Sequence, residues 1–208
     1  EVADGIAYVP QSTASGTNLA VLDVGSWPAA RVRATVPLPD DFCRDEWYGG
    51  CSCQVAVDDG RAYVVHPTGP TAEAATSVIV IDTSQDPSPE VAATCTIDGH
   101  RWAGAAADGD RLYLVGEDLG VVDVSDPAEP KVLGTLGGVP GPQRGEAPST
   151  GLTIVDGRAY VASQTALSVV DVTEGAPRLV GQVVYDAAPS WGDIRGLPHT
   201  GGAPRIDV

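Results

Sequence analysis

One local pattern recurs four times along this chain and leaves little freedom in how it folds. The segments EVADGIAYVPQS, VAVDDGRAYVVH, AAADGDRLYLVG and LTIVDGRAYVAS each carry an Asp-Gly turn within an apolar alternation. Asp and Gly tolerate the positive φ angles of a tight two-residue hairpin, so each segment predicts a pair of antiparallel strands. Tyr8, Tyr63, Tyr113 and Tyr160 hold the same place in the strand after the turn. A second line follows each hairpin: LAVLDVGSWPAARV, VIVIDTSQDPSPEV, LGVVDVSDPAEPKV and LSVVDVTEGAPRLV. Each is an apolar strand ending in Asp23, Asp82, Asp123 or Asp171, followed by a turn and one further strand. The unit is therefore four strands, a to d, joined as an antiparallel meander with a period of about 50 residues.

A single meander cannot bury both of its faces. Stacking copies around an axis buries them and protects the strand edges. The predicted fold is all-β: a β-propeller of about four four-stranded antiparallel blades in a single domain over 1–208. The repeats span roughly 1–38, 52–97, 103–137 and 150–185, with a C-terminal strand at 203–208. The 25 Gly and 17 Pro are spread along the whole length, as many short strands joined by turns require. No segment sustains a helical period.

Joining the two ends gives RIDVEVADGIAYV, which places Val208 and Val2 where Val55 and Val57 stand in the second copy and Leu152 and Ile154 in the fourth. Two readings stay open: the C-terminal strand completes the first blade and closes a four-bladed ring, or the chain is part of a larger propeller. The chain begins Glu-Val with no signal peptide and no initiator Met, which reads as a processed product, a designed chain or a piece of something longer.

LGVVDVSDPAEPKVLGTL and DGRAYVASQTALSVVDV resemble LVIVD repeats, which build extracellular β-propellers in bacterial and archaeal surface proteins. The resemblance runs through all four copies; the third is nearest, and the first departs from the Asp-Pro turn with DVGSWPAA. It implies a propeller and a surface location. It implies no shared activity, so no functional residue carries over.

The net charge of -16, from 28 Asp and Glu against 12 Lys and Arg, repels phosphate backbones and anionic membrane surfaces. Nucleic acid is therefore not an expected partner. No apolar run reaches the ~18 residues of a membrane-spanning helix. Cys43, Cys51, Cys53 and Cys95 show no CxxC or zinc spacing and read as disulfide candidates in an oxidising compartment: secreted, periplasmic or cell-surface. Four buried free thiols are the alternative.

In a meander blade the d-to-a and b-to-c connectors share one face. Here these connectors, 10–18, 38–52, 66–76, 98–103, 138–150 and 186–202, vary in length and content, while the opposite turns are short and repetitive. Variable loops on a constant scaffold are where binding resides. Trp47, His100, Arg101, Trp102, Trp191, Arg195 and His199 all fall on this face and are the candidate ligand or partner residues. Trp would stack on a sugar or peptide, and Arg would pair with acids. The competing readings are that these residues pack and cap long loops, or that His66, His100 and His199 hold a metal, helped by Asp45 or Glu46. The three histidines lack HxH or HxxxH spacing, and no DxDxDG calcium loop is present. The recurrent Asp23, Asp82, Asp123 and Asp171 read as acceptors for N–H groups of their own turns.

Nucleophile and zinc-hydrolase signatures (GxSxG, HExxH), the P-loop and the SxDxGxTW box of sialidase-type propellers are absent, and no cofactor is expected. The leading expectation is a non-catalytic secreted or surface propeller that binds a protein or glycan, or serves as one module of a larger assembly. The runner-up is a propeller hydrolase or lyase with acidic and His groups at the channel mouth. A bridge within 43–53 would stabilise the fold by roughly 2–3 kcal/mol in the chain-entropy picture. Free-thiol labelling of the native protein is expected to leave at least two of the four cysteines unreactive; four reactive thiols would overturn the bridge.

Overall fold

A computed structural model describes residues 1–13, 16–26, 28–39, 53–68, 74–84, 88–139, 151–163 and 166–184. The first sheet contains β1 (Val2–Ala3), β2 (Ile6–Thr13), β3 (Gly16–Asp23) and β4 (Arg31–Pro37). The second contains β5 (Gln54–Asp58), β6 (Arg61–Thr68), β7 (Ala75–Asp82) and β8 (Glu90–Asp98). The third contains β9 (Trp102–Asp108), β10 (Arg111–Gly116), β11 (Asp118–Asp123) and β12 (Lys131–Gly137). The fourth contains β13 (Gly151–Val155), β14 (Arg158–Ala162), β15 (Ala166–Asp171) and β16 (Arg178–Val184). Each sheet pairs its strands in chain order and antiparallel, so the structure is four meander blades of an all-β, propeller-like fold. The proposed C-terminal strand 203–208 lies outside the described residues.

The hairpin turns follow from their chemistry. Asp4-Gly5, Asp59-Gly60 and Asp156-Gly157 all take positive φ at both residues, from 44° to 76°, which is the mirror-image turn whose twist matches the flanking strands. The third blade reaches the same two-residue loop by another route. Its register closes at Asp108↔Arg111, so the loop is Gly109-Asp110, and of the two only Gly109 takes positive φ. Glycine in the first loop position suits the second type of hairpin turn.

At the opposite turns of the same end, the recurrent aspartates do what their spacing predicts. Asp23, Asp82, Asp123 and Asp171 each accept the backbone N–H two residues on, at 2.9–3.1 Å. Ser84 and Thr173 add hydroxyl donors at 2.6 Å to Asp82 and Asp171. The side-chain hydroxyls of Ser84, Ser125 and Thr173, then the backbone N–H of the same residues, hold the Asp82, Asp123 and Asp171 carboxyls below the usual range.

Burial shows how the blades meet. Tyr8, Leu19, Val21 and Val36 of blade 1 share one core with Val55, Val64, Ile79 and Ile81 of blade 2. Tyr63, Val65, Val78 and Val80 of blade 2 share a second with Leu112, Leu114 and Val122 of blade 3. Tyr113, Val115 and Val121 of blade 3 share a third with Val161, Val170 and Val172 of blade 4. Alternate residues of one strand thus enter different cores. Each buried side chain of this size contributes roughly 1.5–3 kcal/mol. Two arginines after the turns bond across the same junctions: Arg61 donates to the Val124 carbonyl (3.3 Å) and Arg111 to that of Val172 (2.8 Å).

One cysteine expectation is corrected. Cys95 is a free thiol on β8, donating to the Val78 carbonyl at 3.5 Å, and burial pushes its pKa up. It packs against the second core, whose described residues include no other cysteine. Cys53 is buried at the entry to β5. Cys43 and Cys51 lie outside the described residues.

A carboxyl whose pKa falls on folding contributes stability that is present above its unfolded value and is lost as pH drops through the folded value. The melting temperature is therefore expected to hold between pH 7 and about 5 and to decline below about pH 4. A triple variant, Asp82→Ala with Asp123→Ala and Asp171→Ala, should melt lower at pH 7 and show a shallower acid decline. An unchanged acid slope would remove these turns as its source.

Candidate functional site

The connector from β8 to β9 carries Gly99, His100 and Arg101, and it is tied to both blades it joins. Thr76, on β7 of blade 2, donates its hydroxyl to the His100 carbonyl and accepts the Trp102 backbone N–H, both at 2.9 Å. On the blade 3 side, Asp118 opens β11 and takes two contacts, one on each oxygen. The Trp102 indole Nε1 donates to Oδ1 at 2.6 Å, and His100 Nδ1 lies 3.2 Å from Oδ2. The imidazole and indole rings stack with centroids 4.4 Å apart and planes 2° from parallel.

Trp102 is fully buried and belongs to the core between blades 2 and 3. Its indole fits because residue 120 is glycine: a Cβ there would overlap the ring. The equivalent place in blade 2, by register, is the buried Ile79. Gly116 similarly passes against the Arg101 carbonyl, where a side chain would collide. His100 and Asp118 keep about a quarter of their side chains open, at 26% and 22% exposure.

Of the candidate residues, the structure brings His100 and Trp102 together but gives Trp102 a different task. A buried indole offers no face to a ligand, so Trp102 anchors the connector. Arg101 is half-buried beside it and already engaged. His66 is buried near the end of β6. Trp47, Trp191, Arg195, His199, Asp45 and Glu46 lie outside the described residues. Among the described residues, no group of three or more His, Cys, Asp or Glu side chains is placed to hold a metal.

Sequence reasoning missed Thr76 and Asp118. The signal for Asp118 was a break in the repeat: register places Asn18, Ser77 and Ala166 at the same position in the other blades. Chemically, His100 with Asp118 has the form of an imidazole oriented by a carboxylate. Thr76, the hydroxyl of this cluster, is committed to two backbone bonds and is not poised as a nucleophile. The arrangement fixes a connector on the variable face of the blades.

The LVIVD repeat family model matches residues 105–136. A search of curated proteins finds no match. Among solved structures, the chain is similar to a Bacteroides fragilis protein provisionally described as a 6-phosphogluconolactonase, at 9% identity and TM-score 0.45, covering 90% of this chain and 70% of that one. It is also similar to a functionally unknown protein from Desulfotomaculum acetoxidans, at 11% identity and TM-score 0.38, covering 88% and 72%.

Gly120→Ala should push the indole off Asp118 and cost about 1–3 kcal/mol by overpacking. Thermal unfolding and Trp fluorescence would report it. An unshifted melting temperature would mean that the ring is not held against Gly120. Residues 105–136, within the third blade, match the LVIVD repeat, and the chain around them is propeller-like.

Proposed function

We propose that this chain is a non-catalytic binding module that presents its variable connectors to a protein or glycan partner outside the cytoplasm. The observation that carries this reading is the way the 99–101 connector is held. Side chains from two blades and two tailored glycines immobilise it, while the His100 and Asp118 edge stays partly open. A rigid, partly open polar edge on a constant scaffold suits recognition, because little ordering remains to be done on binding. The acidic surface, at -16 overall, favours a partner with basic groups at its contact.

Protein ranks above glycan as the partner. With Trp102 buried, the described connector offers no indole face for a sugar ring to stack on. The oxidising location rests on the cysteines: Cys43, Cys51 and Cys53 crowd into one short stretch and are the sequence-predicted disulfide candidates.

The test is a binding screen of the purified chain against extracellular proteins and glycans, run beside a panel of hydrolase and lyase substrates. His100→Ala with Arg101→Ala is expected to weaken partner binding at least tenfold while the melting temperature moves by only a few degrees. Turnover that vanishes with His100→Ala would overturn the module reading in favour of a hydrolase or lyase built on His100 and Asp118.

A further inference from the structure

Three junctions inside this chain are made from one pair of surfaces. The forward surface of each blade is the strand-b tyrosine with its cross-strand partner: Tyr8 with Val21, Tyr63 with Val80 and Tyr113 with Val121. All six are buried against the next blade. The backward surface is formed by the neighbouring positions of the same strands: Val64 and Ile81 in blade 2, Leu114 and Val122 in blade 3, Val161 and Val170 in blade 4.

Among the described residues, each surface is left over once. Tyr160 and Val169 form the forward pair of blade 4, and both are only half-buried. At the other end, Val9 of blade 1 is 43% exposed, although Val64 and Leu114 at the same register position are 0% exposed and Val161 is 1%. Leu22 is half-buried where Ile81, Val122 and Val170 are sealed. Val2 is 61% exposed beside them.

The polar contacts end in the same way. Arg61 and Arg111 reach the carbonyls of Val124 and Val172 in the next blade. Arg158 holds their place in blade 4 and is exposed, and the Val24 carbonyl holds the acceptor place in blade 1. Among the described residues, each core joins consecutive blades and none joins blade 4 to blade 1.

We propose that the forward surface of blade 4 docks on the backward surface of blade 1 of a second copy of this chain, head to tail. The occupant follows from the surfaces themselves. What covers a Tyr-Val pair three times within the chain is the backward surface of this repeat, and the second copy presents it unoccupied. Tyr160 then packs on Val9 and Leu22 of the other copy, and Arg158 reaches its Val24 carbonyl. Such an interface joins two different patches, so it closes only as a ring. Two copies supply eight blades, within the range of propellers.

Light scattering on the 208-residue chain should return twice 21.3 kDa. Val9→Asp and Tyr160→Asp should each give a monomer with an unchanged β-sheet circular dichroism spectrum. Mixing the two variants should restore a dimer, because one retains an intact blade 4 surface and the other an intact blade 1 surface. Val91→Asp, at an exposed site on β8 of blade 2, which has neighbours on both sides within the chain, should remain dimeric. Arg158→Glu, at a solvent-exposed site that does not threaten folding, should weaken association at least tenfold. A wild-type monomer at the highest soluble concentration would overturn the proposal and assign the cover to residues 203–208 or to further blades. A dimer indifferent to Val9→Asp and Tyr160→Asp, or a mixture that stays monomeric, would overturn it as well.

Discussion

Each blade of this protein depends on its neighbour for one of its faces. A four-stranded meander has two sides, and here both are apolar: along β6, Tyr63 and Val65 enter one core while Ala62 and Val64 enter another. No blade can satisfy both sides alone, so the stability of any one sheet is shared with the sheets beside it. The same dependence explains why the outer strands are so different. β16 is exposed along its whole length and β12 along most of it, because strand d of each unit lies farthest from the stacked faces.

The turns make this stacking possible by being short and uniform. Asp-Gly loops with positive φ return the chain in two residues, and the aspartate ending strand c ties down the next turn with its own carboxylate. Both devices are local. They need no information from the rest of the fold, which is why they were legible in the residue order. Only their detail escaped: the third hairpin uses Gly109-Asp110 because glycine alone suits the first loop position there.

The polar cluster at the connector face was half legible. His100 and Trp102 stood out as chemistry-bearing residues in a variable loop, but their exposure could not be read from composition. Trp102 is buried because Gly120, eighteen positions later, leaves space for its ring, and because Asp118 takes its indole N–H. Thr76 comes from another blade altogether and binds the connector on both sides of Arg101. These partners are 16 to 26 residues from Trp102 in sequence, and no short motif links them. Cys95 misled for a similar reason: an even count of cysteines suggested pairing, whereas its strand position aims it at an apolar core.

What the sequence by itself determined was the repeating unit: strand order, turn chemistry, the alternation of apolar residues and the recurrence of Tyr8, Tyr63, Tyr113 and Tyr160. Those properties are periodic and local, so each copy confirms the others. What only the tertiary structure decided was which copy finds a neighbour. Tyr8, Tyr63 and Tyr113 are sealed and Tyr160 is not, although the residue order treats them alike. The difference is physical: burial of a blade face belongs to the junction between two sheets, and among the described residues no core joins the face of Tyr160 to another blade.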